Sequence, residues 1–495
     1  TGDRRPETGD RRPETGDRRP ETGDRRPETG DRRPVFGMSP EWLLQDGRPL
    51  AAATVLSHPE QLERLTASCP EAAPTAILAG DPCYDRILAA LPQRDRFPRA
   101  LGVGPDQRLI VVSSTWSPRS LFGDDNGEAE ASGGDLLPWL LPRLAAELPA
   151  DEYRAAAVLH PNIWHGHGPG QVRAWLDSAQ RAGLALVPPL EGWRQALIAA
   201  DCVLGDHSSV TYYAASIGVP VLLGAFPGEA LDPSSPVAAL GRTAPKLLRR
   251  GSLRAQIDQT MASHEPARYA GLAEQTSSSP GESATLLRRL FYDLIGIDEP
   301  DGRPALLAPL PLPLYEPAQP TVPIRVFTHV VSVDPPEVTV VRHAQTGFEA
   351  GHAEDEAEHA TAAHTAVDEE TREAGRLRIA DVIVRRADED DPRIGPPGAW
   401  ASDALAQYPY CGLTAYIDGP DRCVVRTREG DLVRLTAAAG PDGRPDLCDP
   451  AAYASALYAW TGSGKSLLEA GPEITVWTGT TAHRVTAEYI GPPRE

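Results

Sequence analysis

The sequence predicts an α/β fold, a Rossmann-like parallel-sheet domain followed by a small β-rich α+β domain, behind a disordered N-terminal repeat. Three observations carry this. From about Val35 to Ile295, short apolar runs alternate with segments whose apolar residues recur at helical spacing, the pattern of buried strands covered by helices. Residues 298–323 contain eight prolines and read as an extended linker. Beyond it, strand-like runs dominate and one clear helix interrupts them.

Residues 1–35 are five tandem copies of TGDRRPE, the last ending in Val35. Each full unit sets two arginines against Asp and Glu and offers nothing large and apolar to bury, so the tract is expected to be disordered. A coiled coil is excluded because the seven-residue period lacks an apolar pair. Ala51–Leu56 and Pro59–Ser68 read as a strand and a helix.

The domain proper, 76–297, opens with the short strand Ala76-Ile-Leu-Ala79, the turn Gly80-Asp81-Pro82 and a helix through Ile87 and Leu88. Leu109-Ile-Val-Val112 is a buried strand, and a Gly-rich loop follows it from Gly123 to Gly134. Leu136, Leu140, Leu144 and Leu148 mark a helix. Ala155–Leu159 is the next strand, then a helix with Val172, Trp175, Leu176 and Ala179 on one face. Leu184–Val187, Cys202–Leu204 and Val219–Leu223 complete the strands, with helices Trp193–Ala200 and Ser209–Ile217 between them. Gly218 sits where a left-handed C-cap belongs. A last helix carries Leu286, Leu287, Leu290, Phe291, Leu294 and Ile295 on one stripe.

In 324–495, strands are expected near Ile324–Val331, Val338–Val341, Ile379–Val384, Leu413–Ile417, Val424–Thr427, Leu432–Leu435, Ile474–Trp477 and Val485–Ile490. The helix is Ala451–Trp460. Residues 349–373 hold nine acids against one arginine and read as a solvated insertion, a loop or frayed helix.

Composition narrows the function. The formal charge of −21 opposes nucleic-acid binding, which needs cations to displace phosphate counterions. No apolar run reaches the roughly 18 residues of a spanning helix and no signal peptide is visible, so the chain reads as cytoplasmic, not integral to a membrane. Six cysteines without CxxC spacing read as reduced thiols, with no metal site and no cofactor expected. Only Lys246 and Lys465 are lysines, an arginine bias that points to a GC-rich bacterial genome.

Four strand ends carry polar residues that chemistry can use. Asp201–Gly205 runs into Asp206-His207-Ser208-Ser209 as a helix begins, and a helix start offers free N–H groups and a positive dipole end to a diphosphate. Asp206 or Ser208 acting as a plain helix cap is the alternative. His160-Pro161 ends another strand, where His160 can meet a phosphate or act as acid or base. Ser114-Thr115-Trp116, with Arg119 beyond, and Glu191-Gly192 are the other two. In an open α/β sheet, ligands gather at this edge.

These residues resemble the donor-binding half of the CDP-glycerol glycerophosphotransferases, bacterial enzymes of GT-B fold. Gly80-Asp81-Pro82-Cys83-Tyr84-Asp85 is similar to that family's entrance to its second domain. Ser114-Thr115-Trp116 is similar to its Pro-Thr-Trp turn, with Ser114 in place of proline, and His160-Pro161 to its His-Pro strand end. Asp201–Ser209 with Gly218-Val219-Pro220 is similar to its Ala-Asp, Asp-Tyr-Ser-Ser and Gly-x-Pro run, with His207 in place of tyrosine. Related GT-B proteins, UDP-GlcNAc 2-epimerases among them, have a similar segment.

The resemblance implies that 76–297 is the second half of a GT-B fold and that 36–75 is a remnant of the first half. His160 would contact the donor phosphates as the catalytic residue. Ser114, Thr115, Asp206, Ser208 and Ser209 would line the diphosphate site, and Glu191 would face the nucleobase. The implied function is a transferase subunit or fragment that uses a nucleotide-diphospho donor, CDP-glycerol-like. It would move glycerol phosphate or a sugar to a membrane-associated or polymeric cell-envelope acceptor, placing the chain peripherally at the membrane. The alternative is a non-catalytic nucleotide-binding or protein-interaction module.

Three further motifs imitate functional sites. Gly462-Ser463-Gly464-Lys465-Ser466 imitates a phosphate loop but follows a helix and has Ala459 at the first glycine position. Val341-Arg342-His343-Ala344-Gln345-Thr346 is similar to the start of histidine phosphatases. His352, His359 and His364 lie among carboxylates without a rigid frame to hold a metal.

Overall fold

A computed structural model describes residues 37–490, except 105, 124–136, 304, 314–319, 348–359, 387–392, 394, 441–442, 445, 447, 467–468 and 470. The heptapeptide repeats, most of the glycine-rich loop and His352 and His359 therefore lie outside the described residues.

The chain enters through helix Pro40–Leu43 and a small hairpin of β1 (Leu44–Gln45) and β2 (Arg48–Pro49). β3 (Thr54–Leu56) and β4 (Ala76–Leu78) pair in parallel around helix Pro59–Ser68. The main sheet has five parallel strands: β5 (Arg108–Ser114), β6 (Tyr153–Leu159), β7 (Ala185–Leu186), β8 (Cys202–Gly205) and β9 (Val221–Leu223), in the order β7-β6-β5-β8-β9. β5 is apolar on both faces because helices cover both. Leu109 and Val111 pack with Val158, Val203 and Val221 on one side. Ile110 and Val112 pack with Leu140, Leu159 and Leu204 on the other.

That strand order decides where a ligand can enter. From β5 the chain winds outward through β6 and β7, then returns to place β8 and β9 on β5's other flank. The loops after β5 and β8 thus diverge and leave a crevice at a topological switch point.

The second domain, expected as a small β-rich α+β unit, is built on a closed barrel, which the sequence pattern does not indicate. Nine strands close into a barrel: β10 (Ile324–Val333), β11 (Pro336–Ala344), β12 (Ala362–Asp368), β13 (Val382–Arg386), β14 (Leu413–Gly419), β15 (Arg422–Thr427), β16 (Leu432–Ala437), β17 (Glu473–Thr478) and β18 (Thr481–Tyr489). Closure runs through β12, which pairs antiparallel with β10 and parallel with β13. Its residues fall in the acidic stretch read as a solvated insertion, yet small apolar side chains alternate there, and Ala366 and Val367 are buried on opposite faces.

Helix Pro450–Gly462 is buried on all sides, from Ala451 and Tyr453 to Leu457 and Trp460, among the inward residues of the barrel strands. An amphipathic stripe is absent because every face meets the barrel wall. A second helix, Pro397–Gln407, covers the outside through Trp400, Ala401, Ala404 and Leu405 against Ile383, Tyr416 and Val424.

The proline-rich connection is docked rather than free. Leu310 is buried in the α/β core, Pro311 O accepts from Gln195 Nε2 (2.8 Å), and Thr321 N donates to Arg181 O (2.8 Å). Among the described residues, no helix is long and apolar enough to cross a membrane.

Candidate functional site

Asp206 organises the crevice. It follows β8, is fully buried, and both carboxylate oxygens accept hydrogen bonds. Oδ2 takes Thr115 N (2.9 Å), Leu121 N (3.2 Å) and Ser114 Oγ (3.2 Å), and Oδ1 takes Ser208 N (3.0 Å). Burial pushes its carboxyl above the usual range, while His207 and the donors pull the other way. Asp206 therefore fixes the loop after β5 to the turn after β8, a positioning task carried out from a fully buried place.

Ser114 extends the same lock, since its Oγ accepts from Phe122 N at 2.8 Å. Ser208 is the N-cap of helix Ser209–Ser216: its Oγ accepts from Thr211 N (3.1 Å) and lies 2.8 Å from Thr211 Oγ1. The capping alternative thus describes Ser208, and Ser209, the first helical residue, is the exposed serine. Thr115 is half-buried at the crevice lip.

His160 closes the other side. Its N–H donates to Ser114 O (3.0 Å), which ties the end of β6 to the end of β5. Its Nδ1 accepts from Asn162 N (3.0 Å) as the cap of helix Pro161–His167, so a neutral ring carries its proton on Nε2. Burial lowers its pKa, against the raising effect of Asp206, and so favours the neutral ring. Trp116 stands beside it, ring centroids 6.5 Å apart, and is half exposed. Arg119 on the same loop pairs with Glu229 beyond β9 at 3.2 Å.

No family model matches this chain, and neither does any curated protein. Solved structures do. The wall teichoic acid polymerase TagF is similar over 50% of this chain and 57% of its own, at 13% identity and a TM-score of 0.32. The UDP-GlcNAc 2-epimerase of Neisseria meningitidis, solved bound to UDP-GlcNAc, matches 49% of this chain and 62% of its own (15% identity, TM-score 0.28). That of Methanocaldococcus jannaschii, in complex with UDP-GlcNAc and UDP, matches 49% and 61% (11% identity, TM-score 0.33). The chain spans about three fifths of the length of these structures.

The crevice joins Ser114, Thr115, His160, Asp206 and Ser208 through direct hydrogen bonds and carries Ser209 on its rim. Glu191 is brought to the same sheet edge but stands apart, exposed after β7, two strands from β5. His207, assigned no role from the sequence, is half-buried with Nδ1 unpartnered and its pKa lowered by burial.

The three other motifs resolve as structure. Lys465 follows the buried barrel helix and lies 5.5 Å from the Trp460 ring centroid, with no strand–loop–helix around it. His343 is buried with Nδ1 3.0 Å from Ala146 O, at the domain junction. His364 is buried on β12 beside Tyr458, and burial drives its pKa down to about 3.

Sequence reading also missed a charged cluster at that junction. Arg342 bonds Asp151 through Nε (2.8 Å) and Nη2 (2.6 Å), and Asp449 through Nη1 (2.9 Å). Arg386 grips Asp449 with both Nη groups (2.9 and 2.8 Å). Arg342 and Asp151 are 191 positions apart, a separation no local pattern encodes.

Proposed function

We propose that the crevice between β5 and β8 binds the diphosphate of a nucleotide-diphospho donor, CDP-glycerol-like, as part of a GT-B-type transferase subunit or fragment. The transferred group would be glycerol phosphate or a sugar, and the acceptor a membrane-associated or polymeric envelope component. One observation carries the reading: the polar loops are locked together at the topological switch point by a single buried carboxylate.

The lock leaves specific groups for the ligand. Ser208 N and Thr211 N are used internally, so the diphosphate meets Ser209 Oγ and the N–H groups of Ser209 and Val210 at the helix's positive end. His160 donates from Nε2 across the crevice, Thr115 offers its hydroxyl, and Trp116 offers a face for a base or sugar to stack on. Arg119 is close enough in sequence to turn from Glu229 to a phosphate, because an exposed ion pair holds it only weakly. Ser114, Asp206 and Ser208 act as positioning residues, and Glu191 would face the nucleobase end. In transfer of glycerol phosphate, the acceptor hydroxyl would attack the distal phosphorus, the P–O–P bond would break and the nucleoside monophosphate would leave. In transfer of a sugar, the nucleoside diphosphate would leave. In either case the serine and backbone donors would stabilise the charge gathering on the departing phosphate.

The second reading, a binding module without chemistry, is favoured by the internal use of Asp206, which removes it as a base. Thermal unfolding of the full chain with CDP-glycerol, CDP, UDP, UDP-GlcNAc and ATP tests the site, because a ligand of the folded state must raise the midpoint. We expect a rise with a cytidine or uridine diphosphate that is lost in Ser209→Asp. Equal midpoints with every nucleotide refute donor binding. Binding with a polymeric envelope acceptor present, but with no release of nucleoside monophosphate from CDP-glycerol or of nucleoside diphosphate from UDP-GlcNAc over hours, selects the non-catalytic module.

A further inference from the structure

We propose that the domain junction holds a second ligand site, specific for a neutral polyhydroxylated molecule of mono- or disaccharide size. A cavity of about 730 Å³ opens there, between the amino edge of the parallel sheet and one mouth of the barrel. It lies on the opposite side of the sheet from the crevice, and its volume falls in the range of small-molecule sites.

Its chemistry selects the ligand. Asp418 lines the cavity where a bulge interrupts β14, and its side chain is 1% exposed. Oδ1 faces Arg422 Nε at 3.2 Å, but Oδ2 is buried with no hydrogen-bond partner. Arg386 Nε is likewise buried without a hydrogen bond, 3.6 Å from Asp368 Oδ2. Asp418 and Arg386 both line the cavity, and each carries a polar atom without a hydrogen bond, the Arg386 Nε being held only by its ion pair with Asp368, so a ligand that both donates and accepts would serve both. A hydroxyl does both.

Charge decides against the other candidates. Three arginines (Arg154, Arg342, Arg386) and four aspartates (Asp151, Asp368, Asp418, Asp449) line the cavity. That near balance has no surplus cation for a phosphate and little surplus anion for an amine. Leu141, Leu144 and Ile417 supply apolar wall, which suits the C–H face of a sugar ring.

Titration calorimetry of the full chain with glucose, N-acetylglucosamine, ribitol, sucrose, spermidine and inorganic phosphate tests the assignment. We expect at least one sugar or polyol to bind with Kd below about 10 mM. Asp418→Asn, which presents a donor where an acceptor is needed, should weaken it at least about tenfold, about 1.4 kcal/mol. Ala182→Leu, which fills the cavity from the α/β side without changing charge, should do the same even if Asp418→Asn folds poorly. His160→Ala should leave this binding unchanged, which separates it from the donor crevice. No sugar or polyol binding, preference for spermidine or phosphate, or binding unaffected by both cavity variants would each overturn the proposal.

Discussion

Asp368 and Asp449 share one buried cluster and are driven in opposite directions. For Asp449, burial pushes upward, but Arg386 and Arg342 hold its carboxyl far below the usual range. For Asp368, burial outweighs a hydrogen bond from Glu370 N (2.9 Å) and a 3.6 Å approach from Arg386 Nε, and its pKa rises from 3.8 to about 6. A raised folded-state pKa means the native protein holds its proton more tightly than the unfolded chain between pH 4 and 6. The contribution of Asp368 to stability is therefore greatest near pH 4 and declines as pH rises through 6. Asp449 has the opposite sign, and its contribution is lost only in strong acid. Denaturant unfolding of the wild type and Asp368→Asn across pH 4–8 should show their difference drifting against the wild type by up to about 3 kcal/mol as pH rises. A flat difference would mean that Asp368 is solvated.

Adjacent serines at one helix start do different work. Ser208 is buried and caps the helix, so Ser208→Ala should cost about 1 kcal/mol of stability. Ser209 is exposed and bonds nothing within the cap, so Ser209→Ala should leave the unfolding midpoint within about 1 °C, a surface change worth only tenths of a kcal/mol. Nucleotide binding, followed by the same thermal shifts, should weaken in the Ser209 variant even though its stability is unchanged. Equal stability losses in the two variants would contradict the assigned roles. The strand-to-helix passage from Cys202 to Ser216 was legible because a buried apolar run, a polar turn and a capping serine are all local. Which of the polar residues named there are used inside the fold, Asp206 and Ser208, and which stays exposed, Ser209, was not legible, since that depends on where Asp206 points. β12 shows the same limit. Ala362–Asp368 looks like the tail of an acidic loop until β10 and β13 pair with it, and with β12 unread, closure of the barrel could not be read either. Helix Pro450–Gly462 was visible as a helix, but its position inside the barrel comes only from the ring of strands around it.

At the scale of the whole molecule, the barrel and the parallel-sheet domain are joined by more than a linker. Arg342, on β11, holds Asp151 bidentately just before β6 while also bonding Asp449, the cap of the barrel's inner helix. Ala150 N donates to Arg342 O (2.8 Å) and Thr346 Oγ1 to Pro142 O (2.9 Å) beside it. One side chain thus ties the sheet domain to the barrel wall and its core helix. Removing one partner of a buried pair strands the other charge, so Arg342→Ala should cost about 3–5 kcal/mol. The loss should fall on the junction. Calorimetry is expected to show one unfolding transition for the wild type and two for Arg342→Ala, as each domain melts on its own core. Arg342→Met combined with Asp151→Ala removes both charges, and should recover more than half of the loss if desolvated charge is the cause. A single unshifted transition in Arg342→Ala would show that the junction is held elsewhere, by the docked proline-rich segment and the backbone bond from Ala150.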